Sequence, residues 1–169
     1  MDTFDLYKDI QCRTNGEIYL GVVGPVRSGK STFIKRFMDV LVLPKMTTEP
    51  KFVPKEAAEI QLAKDVSVLV RLIDCVGYMV EGAAGHMENG AERLVKTPWN
   101  EKEIPFTKAA EIGTKKVIHD HSTIGIVVTT DGSIGELPRN SYRAAEKKTI
   151  QELKSIGKPL SLIHISEPT

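Results

Sequence analysis

Residues 24–31 read Gly-Pro-Val-Arg-Ser-Gly-Lys-Ser, and this stretch decides the fold. It matches the pattern G-x-x-x-x-G-K-S, in which glycines let the backbone turn several N–H groups toward phosphate oxygens. A chance match in a chain of this length is roughly a 1% event at average composition. The pattern therefore predicts a phosphate-binding loop made by Gly24, Pro25, Val26, Arg27, Ser28, Gly29, Lys30 and Ser31, with Thr32 following.

The residue types in this loop suggest separate roles. Lys30 supplies a point charge for the β- and γ-phosphates, and Ser31 offers a hydroxyl to Mg²⁺. The helix that begins here directs its positive N-terminal end at the same anion. Arg27 either contacts phosphate or points to solvent. The alternative interpretation, a glycine-rich turn with a surface lysine, is disfavoured because the match lies between a predicted strand and a predicted helix.

The flanking segments predict the architecture. Residues 17–24 form a short apolar run that closes on glycine, which is typical of a buried strand. Residues 30–43 carry apolar side chains at helical spacing until Pro44 stops the helix. Further strands are predicted over 60–63, 66–75 and 123–130, helices over 106–120 and 141–156, and a long loop over 76–105. This alternation predicts an α/β fold, a P-loop NTPase domain whose mostly parallel, twisted sheet is flanked by helices.

A second carboxylate follows a predicted strand. Residues 68–77 read Val-Leu-Val-Arg-Leu-Ile-Asp-Cys-Val-Gly, so Asp74 and Gly77 stand at the spacing D-x-x-G. A carboxylate at the end of a strand beside a phosphate loop can hold Mg²⁺ through water, and the N–H of Gly77 can reach the γ-phosphate. The alternative is that Asp74 only caps the following loop. We favour the magnesium role.

Two further positions bear on hydrolysis. Thr47 and Thr48 precede Glu-Pro between the phosphate-loop helix and the next strands, where switch proteins bring a threonine to Mg²⁺ and the γ-phosphate. Common GTP switches carry a water-orienting glutamine just after D-x-x-G, but here the residue is Tyr78. Water positioning is therefore expected from another group or from a neighbouring subunit. Glu81, Glu88 and Glu92 are candidates by location only.

The composition limits the function classes. Of 169 residues, 23 are Lys or Arg and 22 are Asp or Glu, a net charge of +1 that argues against nucleic-acid binding through bulk charge. No apolar run approaches the roughly 20 residues of a membrane-spanning helix. The N-terminus lacks the basic start and apolar stretch of a secretory signal. We therefore expect a cytoplasmic protein with no transmembrane segment.

Longer stretches resemble a known family. Six segments are similar to the N-terminal ATPase domain of the stage IV sporulation protein A family, the spore-coat morphogenetic ATPases: GEIYLGVVGPVRSGKSTFIKRFM (16–38), MTTEPKFVP (46–54), RLIDCVGY (71–78), TPWNEKEIPF (97–106), AAEIGTKKVI (109–118) and HSTIGIVVTTDGSIG (121–135). The resemblance implies the translation-factor-related (TRAFAC) class of P-loop fold with ATP and Mg²⁺ as cofactors. It implies that Lys30 and Ser31 are the Walker A pair, Asp74 the Walker B acid, and Thr47 and Thr48 the sensor threonines.

The resemblance also implies a cellular setting. Family proteins coat the forespore surface from the mother-cell cytoplasm, polymerise there with ATP hydrolysis, and are anchored by a small amphipathic membrane peptide. Other spore-coat proteins are implied as partners, and nucleic acid is not. On this basis the chain is expected to be the ATP-hydrolysing domain of a self-assembling scaffold. A GTP-dependent regulatory switch and a nucleotide-binding structural module without turnover stay open as alternatives.

The sequence departs from the family pattern in two places. The segment 43–46 is much shorter than in the family, which bears on the placement of Thr47 and Thr48. Residues 160–169, LSLIHISEPT, look like the translation of a transposon end used in sequencing libraries. We therefore predict a P-loop domain over 1–159 whose sheet is incomplete at the C-terminus, and a non-native tail over 160–169. The base-reading element N-K-x-D of GTP-binding relatives does not occur in the chain, which agrees with ATP use.

Overall fold

The fold is described from a computed structural model, which covers residues 3–41, 57–133 and 137–166. Thr47 and Thr48 lie outside these residues. In chain order the elements are α1 (Thr3–Arg13), β1 (Glu17–Val23), α2 (Lys30–Leu41), β2 (Ala57–Ala63), β3 (Val66–Asp74), β4 (Met87–Glu88), β5 (Ala91–Glu92), β6 (Leu94–Thr97), β7 (Asn100–Pro105), α3 (Phe106–Lys116), a π-helical turn (Val117–His121), β8 (Ile124–Thr130), α4 (Arg139–Ser155) and β9 (Leu160–Ile165).

The main sheet has five strands in the order β2-β3-β1-β8-β9. β1 pairs in parallel with both β3 and β8, β8 pairs in parallel with β9, and only β2 runs antiparallel, against β3. This confirms the predicted α/β class with a mostly parallel sheet. Because β1 and β3 are parallel neighbours, the phosphate loop after β1 and Asp74 at the end of β3 meet at the same edge of the sheet.

Helices cover both faces of the sheet. One face packs Val22, Leu72, Ile126 and Val128 against the apolar side of α2. The other face packs Val23 and Val127 against α4 and the π-helical turn. The alternation of Val22 and Val23 between the two layers follows from the two-residue period of a strand. The end of β1, which carries the phosphate loop, is therefore buried between the two layers.

The segment predicted as a long loop contains two hairpins, so that prediction was wrong. β4 pairs with β5 around Asn89 and Gly90, whose φ angles are 53° and 79°. β6 pairs with β7 around Pro98 and Trp99. An Asn-Gly pair is the strongest short-range hairpin signal because both residues tolerate positive φ. The glycines and prolines of this region therefore shape hairpin turns as well as loops.

Two helices begin differently from the sequence prediction. α1 was not predicted, although it packs on the sheet and Gln11 Nε2 donates to Ser67 O at 2.8 Å. α4 begins at Arg139, with Pro138 at its cap position, rather than at Ser141. The N–H of Ser141 donates to Pro138 O, so Ser141 lies within the first turn of α4.

The last described strand involves the residues predicted to be a non-native tail. β9 pairs with β8 over six register positions, from Gly125 and Leu160 to Thr130 and Ile165. Leu160, Ile163 and Ile165 are partly buried, whereas Ser161 and His164 are exposed and Leu162 is 55% exposed. Ile165 reaches the phosphate loop, because a Cβ added to Gly29 would lie 2.7 Å from Ile165 Cδ1. This pairing makes β9 an outer strand of the main sheet. The non-native origin of 160–169 stays a prediction.

Candidate nucleotide-binding site

The phosphate loop connects β1 to α2 through unusual backbone conformations. Gly24, Arg27 and Gly29 all have positive φ, at 142°, 59° and 93°. At Gly24 a side chain is impossible, because a Cβ would lie 2.3 Å from Val128 O. The first turn of α2 contains no acidic residue of its own that would offset the positive end of the helix. The loop therefore has the backbone and the electrostatics of an anion site.

Lys30, the first residue of α2, is buried although it is a lysine. It is only 5% exposed, and its Nζ donates to Pro25 O at 2.6 Å. Burial lowers the pKa of Lys30, and the neighbouring Cys75 and Asp74 oppose this change. A buried ammonium held by one backbone carbonyl is costly unless an anion joins it. A phosphate beside Lys30 would supply that charge.

Ser31 and Asp74 meet in the same cleft. Ser31 Oγ donates to Asp74 Oδ2 at 3.0 Å, across 43 positions of sequence. The other carboxylate oxygen, Oδ1, accepts the N–H of Cys75 at 2.8 Å. Asp74 therefore caps the start of the following loop and also contacts the phosphate-loop serine. The capping interaction that was the alternative role of Asp74 is present, and its role toward Mg²⁺ stays a prediction.

Gly77 and Tyr78 lie against the phosphate loop. Val26 N donates to Tyr78 O at 2.8 Å, and Tyr78 N donates to Gly24 O at 3.2 Å. A Cβ on Gly77 would lie 2.3 Å from Gly24 O and 2.6 Å from Lys30 Nζ, so only glycine fits. In this structure the N–H of Gly77 donates to Thr114 Oγ1 at 3.1 Å, so it is engaged away from the expected γ-phosphate.

A cavity of about 1040 Å³ opens on this site. A volume of this order accommodates a ligand of drug or cofactor size. Its walls combine the phosphate loop, the end of β3, the β6–β7 turn and α3 with the π-helical turn. The lining residues are Val26, Arg27, Gly29, Lys30, Ser31, Thr32, Asp74, Cys75, Val76, Pro98, Trp99, Gly113, Lys116, Val117 and His121.

Eight of these lining residues were not among the predicted site residues, namely Cys75, Val76, Pro98, Trp99, Gly113, Lys116, Val117 and His121. Trp99 is 47% exposed, and its ring lies against α3 at Gly113, where an added Cβ would be 3.9 Å from it. Lys116 and His121 are on the exposed side of α3 and of the π-helical turn. Pro98 shares the hairpin turn with Trp99. No local sequence signal leads to them, because their place in the cavity wall depends on how the β6–β7 hairpin packs on α3.

The donor set fits a nucleoside triphosphate with Mg²⁺. Ser28 Oγ lies in the phosphate loop, is buried, and has no hydrogen-bond partner among the residues described. Buried polar atoms in native proteins are normally paired, so an incoming phosphate oxygen is the expected partner. Within residues 3–41, 57–133 and 137–166 no cluster of three or more His, Cys, Asp or Glu could form an all-protein metal cage. One serine and one carboxylate suit Mg²⁺, which usually takes few protein ligands and completes its shell with water and phosphate.

Several sequence candidates are not brought to the cleft. Tyr78, which stands where switch proteins place glutamine, is 3% exposed and turned into the core. Glu81, Glu88 and Glu92 are exposed, and none of them lines the cavity. Glu92 instead accepts a hydrogen bond from Thr107. The part of the chain that the structure describes thus offers no glutamine or glutamate at the site to orient water.

No helix in the described residues is long and apolar enough to span a bilayer.

The profile of the family "Stage IV sporulation protein A, ATPase domain" matches residues 1–48 and 45–168. The two matched stretches meet at the segment that was predicted to be shortened. The alignments of this chain with three curated relatives are 182 to 186 residues long, whereas the chain has 169 residues. The relatives therefore contain residues that the chain lacks.

Three curated relatives are similar over nearly the whole chain. Stage IV sporulation protein A of Clostridioides difficile is 52% identical over 94% of this chain, that of Bacillus anthracis 50% over 96%, and that of Bacillus subtilis 49% over 96%. The matched region is 37% to 38% of each relative, so the chain spans less than two fifths of their length. Together with the phosphate loop and its carboxylate partner, these matches show that the chain belongs to the ATPase domain family of stage IV sporulation protein A.

Proposed function

We propose that this chain binds Mg²⁺-ATP at the phosphate loop and hydrolyses its γ-phosphate. The observation that carries the proposal is the contact between Ser31 Oγ and Asp74 Oδ2 beside the buried Lys30. A phosphoryl-transfer site needs these three groups: an ammonium that pairs with the phosphates, and two oxygen ligands for Mg²⁺. The family membership supports ATP as the nucleotide.

The residues divide the work by their chemistry. The loop from Gly24 to Ser31 binds the phosphates through backbone N–H groups and the start of α2. Lys30 places its ammonium where charge develops on the transferred phosphoryl group, and Ser31 with Asp74 would hold Mg²⁺. When bound, Mg²⁺ supplies a Lewis acid that neutralises phosphate charge. Thr47 and Thr48 are proposed as the sensor threonines, by family resemblance.

We further propose the cellular role of the longer protein by the same resemblance. The domain would drive assembly of a spore-coat scaffold into a polymer on the forespore surface, in the mother-cell cytoplasm. A small amphipathic membrane peptide would anchor it, and other spore-coat proteins would join it. The relatives' name connects them to sporulation, which supports this setting.

A second candidate is a nucleotide-binding module that does not turn over. The burial of Tyr78 favours it, because the position that orients water in common switches is occupied by a core side chain. In the first proposal water would be positioned by a neighbouring subunit or by a group outside the described residues. Measuring turnover separates the two.

Nucleotide selectivity is tested by competition binding in the presence of Mg²⁺. We expect ATP to displace a fluorescent adenine nucleotide from the chain at least tenfold more effectively than GTP, a preference of about 1.4 kcal/mol. Trp99, the only tryptophan of the chain, lines the cavity and provides an intrinsic signal for the same titration. A preference for GTP would instead support a GTP-dependent regulatory switch.

A further inference from the structure

Tyr78 connects the phosphate loop to a surface groove between α3 and α4. Its backbone forms a parallel bridge with Pro25, flanked by the hydrogen bonds from Val26 N to Tyr78 O and from Tyr78 N to Gly24 O. Pro25 O is also the acceptor of Lys30 Nζ. The main chain of Tyr78 therefore holds the peptide unit on which the phosphate-binding ammonium rests.

The side chain of Tyr78 extends to the opposite side. Its ring belongs to the core cluster and is 3% exposed, while its hydroxyl has no hydrogen-bond partner among the residues described. Lys148 Nζ of α4 lies 4.5 Å from the ring centroid. The same Nζ lies 2.8 Å from Glu111 Oε1 of α3, and Lys115 reaches that carboxylate at 3.2 Å.

The contact lies at a groove that ligands and partners can reach. A cavity of about 360 Å³ lies between α3 and α4, lined among others by Tyr78, Thr107, Glu111 and Lys148. The side chains of Lys148 and Glu111 are 45% and 40% exposed. One cation thus covers the ring face, bridges the two helices and stays accessible to solvent.

We propose that Tyr78 is a positioning residue for the phosphate loop, and that Lys148 acts on nucleotide affinity through the Tyr78 ring. The proposal rests on the proposed function, since it concerns the same nucleotide site. A cation over an aromatic face is attracted by the ring quadrupole, so removal of the charge leaves the ring less firmly held. Because the ring and the bridge to Pro25 belong to one residue, movement of the ring shifts the peptide unit that holds Lys30.

Lys148→Met tests this coupling from Lys148 through Tyr78 to the phosphate loop, the relay, because methionine keeps an apolar side chain of similar length and removes the charge. We expect its Kd for Mg²⁺-ATP to rise about three- to tenfold, the size of effect that a packed coupling route carries. Lys147→Met is the matched control, because Lys147 is an exposed neighbour on α4 that does not line the groove. Unfolding midpoints are measured for both variants, since a merely structural effect would lower the midpoint and leave the Kd of the folded protein unchanged.

Substitutions at Tyr78 test the route itself. Tyr78→Phe keeps the ring and removes only an unpaired hydroxyl, so we expect its Kd to stay within twofold of the wild type. Tyr78→Leu is expected to weaken binding at least tenfold, and addition of Lys148→Met to it should weaken binding no further. If Tyr78→Leu does not fold, the comparison of Lys148→Met with Lys147→Met decides alone.

The outcomes separate this inference from the proposed function. Failure of the wild-type chain to bind Mg²⁺-ATP overturns both. If the wild type binds and Lys148→Met matches Lys147→Met within twofold, only the relay is overturned. Additive effects of Tyr78→Leu and Lys148→Met would also overturn it, because Lys148 would then act by a route that does not pass through Tyr78.

Discussion

Replacing Lys30 with methionine is expected to abolish binding of Mg²⁺-ATP and, at the same time, to stabilise the ligand-free chain. Lys30 is 5% exposed, and in the described residues its Nζ has one backbone acceptor, Pro25 O. Exchange of a buried charge for an apolar side chain of similar volume is often stabilising. We expect a gain of about 1 kcal/mol, which raises the melting temperature by about 2–4 °C for a domain of this size.

The pH dependence of stability provides an independent check. Burial lowers the pKa of Lys30 in the folded chain, so the unfolded chain binds more protons at this group. Stability therefore rises with pH as Lys30 loses its proton, and this gain is fully present above the pKa of the unfolded state. It is lost as the pH falls through the lowered pKa of the folded state. The Lys30→Met variant should lack this component of the pH profile.

Calorimetric melts with and without Mg²⁺-ATP measure both effects. The matched control is Lys35→Met, because Lys35 is exposed on the same helix and should change neither binding nor stability. A variant that still binds Mg²⁺-ATP with wild-type affinity would contradict the role of Lys30. A melting temperature below that of the wild type would contradict the claim that the buried ammonium of Lys30 destabilises the ligand-free chain.

Asp74→Asn is expected to remove the dependence on Mg²⁺ while the local fold stays intact. Asparagine keeps an oxygen to accept the N–H of Cys75, and its NH₂ group can donate to the Ser31 hydroxyl oxygen where the carboxylate accepted from it. The lost group is the negative charge that would hold the ion. Phosphate release should slow by a factor on the order of 10² to 10³, the usual cost of removing one electrostatic element of a catalytic site.

The informative measurement is the Kd for ATP with and without Mg²⁺. In the wild type Mg²⁺ should tighten binding, and in Asp74→Asn it should not. Asp65→Asn is the control, because Asp65 is an exposed aspartate in the turn at the opposite end of β3. If Asp74→Asn keeps its Mg²⁺-dependent gain in affinity, Asp74 only caps the loop.

Much of the site could be predicted because it is local in sequence. The phosphate loop needs eight consecutive residues, and the strand before it and the helix after it follow from their apolar periods. Asp74 and Ser31 are 43 positions apart, yet the proximity of Asp74 to the phosphate loop was expected because parallel strands end at the same edge of a sheet. Cys75, the residue after Asp74, is partly buried, and burial raises the pKa of its thiol.

Other features depend on tertiary contacts that one sequence does not display. Trp99 lies beside Gly113 because the β6–β7 hairpin packs on α3. The residue pattern of the hairpin does not show where it packs. The burial of Tyr78 results from α3 and α4 closing over it. The β4–β5 hairpin was predictable from Asn89-Gly90, and it was missed because the whole region was interpreted by composition. The N–H of Gly77 donates to Thr114 of α3, a residue that only the tertiary fold brings close to it.

The most direct test of the central claim is phosphate release in a single turnover, with the chain in excess over ATP and Mg²⁺ present. We expect each bound ATP to yield one phosphate in the wild type, and we expect no phosphate release from Lys30→Met, which should not bind ATP. Because the chain is in excess, the readout does not depend on product release. ATP that stays bound and intact would contradict the claim that this domain is a hydrolase and would leave a nucleotide-binding module in its place.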